Sequence, residues 1–177
     1  MKNFTRRQIA LAALPGIIFF LLGAAAGAAG YRFNLTNSLP VGIWRITDAI
    51  GRGTYVTACI PPNAPMMDVA IAKGYLPDGN CKGGYAPLLK QVVAVEGDIV
   101  TLTPTAVLVN GRPIPNTETL AYRYIDPLPA IARGTYTVAT DEFWLIANDN
   151  PRSFDSRYFG ALQRRDIKHG MKPMLVF

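Results

Sequence analysis

Leu88-Leu89-Lys90-Gln91-Val92-Val93-Ala94-Val95-Glu96 is the stretch on which the reading of the fold turns. It is dense in aliphatic residues, and both of its alternating faces are apolar, the pattern of a strand covered on two sides. Gly97-Asp98 interrupts it before a second run, Asp98 to Thr103, and a third, Ala106 to Val109. Asn110-Gly111 then joins Val107-Leu108-Val109 to Arg112-Pro113-Ile114. This is a strong signal for a two-residue hairpin, because a type I′ turn needs positive φ at both central residues. Outward from here the same kind of segment recurs at Gly42 to Thr47, Thr54 to Ile60, Gly134 to Val138, Phe143 to Ala147 and Pro173 to Val176. Short apolar segments bounded by Gly, Pro, Asn or Asp specify a mostly β domain.

Composition agrees. A chain of 177 residues fits one core with an appendage. Half of its residues are apolar and 17% are charged, while 16 glycines and 14 prolines punctuate it. That balance excludes a disordered chain and a helical bundle. One short helix is expected, with Pro65 in its first turn, Met66 to Lys73 free of breakers, and Gly74 ending it in the left-handed conformation. It falls within Pro61 to Pro87 (residues 61–87), a Pro- and Gly-rich segment that reads as an insertion between two strands. Pro113 to Ala132 reads as a long surface loop or extended arm.

The N-terminus has a different character. Ile9 to Ala29 carries no charge, comes after Lys2, Arg6 and Arg7, and precedes the first acidic residue, Asp48. Its length matches the roughly 20 residues that cross a bilayer core. The basic flank keeps the N-terminus cytoplasmic and sends the chain beyond Gly30 across the membrane. Residues 1–30 are therefore expected to form a cytoplasmic start and a single transmembrane anchor, and 31–177 an exported domain. A cleavable signal peptide ending in the small residues Ala24 to Gly30 is the alternative. The net charge is +6, and much of it belongs to the anchor's flank. The remainder gives little basis for a nucleic-acid partner.

Cys59 and Cys81, the two cysteines, are too far apart for a Cys-x-x-Cys motif, and His169 is the sole histidine, so no zinc site is expected. In an oxidising compartment they are expected to pair, closing a loop worth about 3 kcal/mol in the chain-entropy account. Two buried unpaired thiols are the alternative. The bond is expected to lie away from the catalytic residues.

Familiar catalytic machinery is scarce. A Ser-His-Asp triad would rest on His169 alone, and no Gly-x-Ser-x-Gly elbow or phosphate-binding Gly loop occurs. Lys90 stands out instead, since an ammonium in a doubly covered strand costs several kcal/mol unless it is paired or deprotonated. Desolvation lowers a lysine pKa, and a neutral amine is a general base. The alternative is an edge-strand lysine that reaches water. Ser38, within Asn34-Leu35-Thr36-Asn37-Ser38-Leu39-Pro40-Val41-Gly42, comes so soon after the anchor that it must stay within about 30 Å of the bilayer. Asn148-Asp149-Asn150-Pro151-Arg152-Ser153-Phe154-Asp155-Ser156-Arg157-Tyr158-Phe159-Gly160 packs polar and charged groups between apolar segments. It reads either as a hydrophilic loop with an Asp155–Arg157 surface pair or as a support that holds a base in place.

Taken in order, Ser38, the block Leu89 to Asp98 around Lys90, and the block Asp149 to Gly160 resemble the signal peptidase family of membrane-anchored serine proteases, which use a Ser-Lys dyad. Asn34-x-Thr36-x-Ser38-x-Pro40-x-Gly42 is similar to the version in the family's TraF-type, conjugative-transfer branch, which matures pilins. The resemblance implies a signal-peptidase-like β domain in the bacterial inner membrane, with Ser38 as nucleophile and Lys90 as base. It further implies Thr36 in the oxyanion hole, Ser153 orienting the lysine, Asp155 and Arg157 as a supporting pair, and no cofactor or metal. The implied partners are an exported pilin or preprotein, the lipid bilayer and other transfer components, with the pilin's ends joined into a circle as one outcome. A general signal peptidase I acting on many preproteins and an inactive β scaffold are the competing readings. An apolar rim of Phe33, Leu35, Leu39, Ile43 and Trp44 is expected to rest Ser38 on the membrane.

Overall fold

The computed structural model describes residues 5–117 and 131–177. Most of the expected arm between Pro113 and Ala132 lies outside the described residues. Helix α1, Arg6–Ala28, begins at a capping box in which the Thr5 hydroxyl accepts from the Gln8 N–H while the Gln8 side chain accepts from Thr5 N–H. It is long and apolar enough to cross a membrane, and its most apolar stretch is not buried against the rest of the protein. Pro15 sits inside it, which a membrane helix tolerates.

Two turn residues later the chain enters β1, Tyr31–Asn34, a strand hidden in the sequence because it runs straight out of the apolar helix α1. A loop carrying Ser38 leads to β2, Gly42–Thr47, and then β3, Tyr55–Ala58. The segment 61–87 comes next, holding α2, Met67–Ala72, and β4 is Leu88–Val95. The next strands are β5, Ile99–Leu102, β6, Val107–Val109, β7, Arg112–Ile114, β8, Gly134–Thr137, and β9, Glu142–Ile146. The chain closes with α3, Ser156–Phe159, β10, Leu162–Gln163, and β11, Ile167–Val176.

All pairings are antiparallel. A seven-stranded sheet runs β1-β2-β11-β3-β4-β9-β10, and a four-stranded sheet runs β7-β6-β5-β8. The Asn110-Gly111 hairpin forms with positive φ at both residues, 51° and 76°. Gly74 ends α2 at φ 69°. The sequence predicts one helix in the part beyond residue 30, and among the described residues two α-helices occur there. The single turn of α3 falls below the length at which apolar periodicity shows, and Asp155 holds it by accepting from Arg157 N–H. β11 also starts six residues before the expected Pro173, because Lys168, His169 and Lys172 mask an otherwise paired strand.

The core is divided. Val56, Val92 and Leu145 pack with Phe154, Tyr158 and the insertion's Met67 and Tyr85. Ala94, Trp144 and Ile146 pack against the small sheet through Val100 and Val107. A third cluster, Leu39, Trp44, Ala147 and Met171, lies under the Ser38 loop. The turn after β4 is fastened by Asp98, which accepts from Val95 N–H, the Asn110 amide and Arg52. Burial pushes this carboxyl's pKa up, but those donors outweigh it and hold it below the usual carboxylate range. The Gly97-Asp98 end of the lysine block is thus architectural.

Candidate functional site

Ser38 sits in a loop shaped by one side chain. The Asn34 amide donates to three carbonyls, Thr36 O and Leu39 O at 3.0 Å and Pro40 O at 3.1 Å. Its Oδ1 accepts from Thr36 N–H at 3.2 Å and from the Thr36 hydroxyl at 2.8 Å. Trp44 Nε1–H adds a bond to Pro40 O, and Leu39 is buried beneath. Gly42 is required where the loop meets β2. Its φ is 147°, and a Cβ there would come within 2.1 Å of Leu175 O on β11. Asn34 has no catalytic part in the sequence motif, and its structural role emerges only here. An asparagine two positions before a threonine hydroxyl is the Asx-turn signal that marks it.

Lys90 comes from β4, which lies between β3 and β9, so the edge-strand alternative does not hold. Its cross-strand partner on β3 is Val56, and the residue is 2% exposed. Burial pushes its amine down to about 8, offset in part by Asp155, with Arg157 adding to the depression.

The third block provides the setting. Asp155 and Arg157 form a fully buried pair, not a surface one. Arg157 Nε–H donates to Asp155 Oδ1 and an Arg157 terminal N–H to Asp155 Oδ2, both at 2.8 Å. Arg157 also donates to Ser153 O at 3.2 Å and Pro151 O at 3.3 Å, and Asp155 accepts from Ala147 N–H at 3.1 Å. The pair therefore ties the 151–157 loop to the end of β9. Ser153, 2% exposed, donates from its Oγ to Ser38 Oγ at 3.3 Å.

Ser38, Lys90 and Thr36 line one open cleft of about 800 Å³. Cys59 and Cys81 are bonded, with Cα atoms 5.6 Å apart. The disulfide itself is not part of the cleft wall, yet the insertion it anchors supplies Tyr75, Pro77, Asn80 and Ala86 to that wall. His169, set aside as a triad member, lines the cleft too. Of the five residues expected in an apolar rim, two are exposed, two are buried and Ile43 is half-buried. Phe33 and Leu35 are 73% and 81% exposed, whereas Leu39 and Trp44 are core residues because they carry the loop. At the other end of the chain Leu175 and Phe177 are exposed, and Leu175 pairs with Ile43 of β2.

The family model for signal peptidase, peptidase S26, matches residues 6–175. The chain is 35% identical over 179 aligned positions to a plasmid transfer protein TraF of Escherichia coli, the match covering all of both chains. It is 41% identical over 148 positions to a probable conjugal transfer protein TraF of Sinorhizobium fredii, covering 81% of this chain and 76% of that one. The crystal structure of a signal peptidase I from Enterococcus faecalis aligns with a TM-score of 0.41 at 14% identity, over 70% of this chain and 97% of that one. The chain belongs to the peptidase S26 signal peptidase family.

Proposed function

We propose that this signal peptidase family member is an anchored serine endopeptidase that matures an exported pilin precursor for conjugative transfer, using Ser38 as nucleophile and Lys90 as general base. The observation that carries this reading is the meeting, in one cleft, of a serine hydroxyl and the buried, pKa-depressed amine of Lys90. Plasmid transfer and conjugal transfer are the settings named for the two TraF relatives, and they come to this chain by that similarity.

Lys90, neutral, takes the Ser38 proton as Oγ attacks the scissile carbonyl, and the resulting ammonium protonates the departing amine to leave an acyl-enzyme. Ser153 positions Ser38 Oγ through its hydrogen bond. Arg157 and Asp155 hold the Ser153 backbone and set the field at the amine. The role of first donor to the developing oxyanion is assigned to the Ser38 backbone N–H. The Thr36 hydroxyl joins it by exchanging Asn34 Oδ1 for that oxygen, since a hydroxyl has one proton to give. The acyl-enzyme ends either in water, giving a free carboxyl, or in the pilin's own N-terminal amine, giving a circle.

Topology completes the proposal: α1 spans the inner membrane with its basic end in the cytoplasm, and residues 31–177 work on the exported side. Incubating the full chain with a candidate pilin precursor and weighing the product tests the reading. Cleavage is expected, and a cyclic product is one water lighter than the linear one. Intact precursor, with a folded enzyme in detergent, contradicts it.

A further inference from the structure

The cleft is one-sided in charge. Its basic side chains are Arg32, Lys90, Lys168 and His169, and among the described residues no carboxylate lines it. Two of these bases already have work. The Lys90 amine is the proposed base, and the Arg32 guanidinium donates to Gly27 O and Tyr31 O at the end of the anchor. Lys168 and His169 are exposed, and their place in the cleft is built by an irregularity. Ile167 pairs with Ala58 and His169 with Thr57, so β11 advances two residues where β3 advances one. A bulge of this kind breaks the strict alternation of faces, which lets two consecutive residues address one site.

Thr57 stands directly across from His169, lines the same cleft, and has a buried Oγ1 with no hydrogen-bond partner among the described residues. Leaving a buried hydroxyl unsatisfied is unfavourable, and an acceptor bound in the cleft that Thr57 lines is the partner it lacks. Two basic side chains, a hydroxyl donor in want of an acceptor and no competing acid together describe a site for a carboxylate.

We propose that Lys168, His169 and Thr57 form a carboxylate-binding subsite for the peptide substrate, separate from Ser38 and Lys90. The inference rests on the peptidase reading for its substrate being a peptide. The carboxylate belongs either to an acidic side chain or to a free C-terminus, and both present the same group.

The full-length Ser38→Ala protein in detergent micelles removes turnover and allows titration calorimetry. The probes are Ala- and Gly-based octapeptides carrying Glu or Gln at successive positions, each ending as a carboxylate or an amide. At one position Glu should bind about threefold more tightly than Gln, or the free carboxylate than the amide, a size set by exposed charges. The peptide set reports which source the site takes. The preference should vanish in Lys168→Gln/His169→Gln and shrink at high salt. Thr57→Val should weaken binding of the preferred peptide while raising Tm, a combination that a purely structural threonine does not give. Equal affinity across the pairs, no measurable binding of any peptide, or a preference that survives the double substitution overturns the subsite. Failure of the peptidase reading shows elsewhere, as a candidate precursor left intact by the folded, unsubstituted chain.

Discussion

The Ser38 loop and strand β4 deliver the two proposed reacting groups by opposite means. The loop is local. One asparagine, five hydrogen bonds and a buried leucine set its path, and each of Asn34's own partners lies within six positions of it, while Ser153 reaches Ser38 Oγ from a distant loop. Lys90 is global. It is held by strands from two distant parts of the chain, and its amine feels Asp155 and Arg157, more than sixty positions away in sequence. A nucleophile needs a defined direction, which short-range hydrogen bonds give. A lysine base needs to lose its proton, which only tertiary burial gives.

The strongest break in that comparison is to remove either reacting group. Ser38→Ala and Lys90→Ala should each lower processing by at least about 10³-fold, and the double variant should be hardly worse, since members of one catalytic unit are not additive. Rates measured on folded, membrane-inserted protein check this. Next comes the support of the global half. Asp155→Ala leaves the Arg157 guanidinium buried without its carboxylate, and should cost about 3 to 5 kcal/mol in denaturant unfolding.

Linkage sharpens the same half. The Lys90 amine lies near 8 in the folded chain against an ordinary 10.5. Between those values the unfolded chain holds more protons, so stability should rise with pH across that window, by about 3 kcal/mol relative to a Lys90→Met control. Reduction of Cys59–Cys81 should cost a similar amount, about 3 kcal/mol. Because the insertion walls the cleft, it should also raise KM, which goes beyond the purely structural effect expected from sequence. The smallest effect belongs to the local half. Asn34→Ala should lower kcat by about 10-fold or more with little change in KM, since a loop that loses its internal bonds mis-aims Ser38 without altering the far cleft. A KM effect alone would show that Asn34 acts on binding instead.

Legibility in the sequence divides along the same line. β4 and the Asn110-Gly111 hairpin are legible because their signals are contiguous, and Lys90 stands out because an apolar strand makes a lysine conspicuous. The depth of the Asp155–Arg157 pair is not legible. A run of Asn, Asp, Arg and Ser looks hydrophilic, and only the tertiary fold buries Asp155 and Arg157. Trp44 and Leu39 mislead as membrane-rim residues, because apolar residues next to an anchor read alike whether they face lipid or prop a loop. The bulge that brings Lys168 and His169 into the cleft depends on register with β3, which no local pattern records.

The central claim is that a neutral lysine, not a histidine, activates Ser38, and the pH dependence of kcat/KM, which reports the free enzyme, tests it most directly. The account predicts a rate that climbs about tenfold per pH unit at low pH and levels off above a midpoint near 8, where the Lys90 amine loses its proton. A midpoint near the ordinary imidazole value, about 6.5, or a rate indifferent to pH across this range, would contradict it.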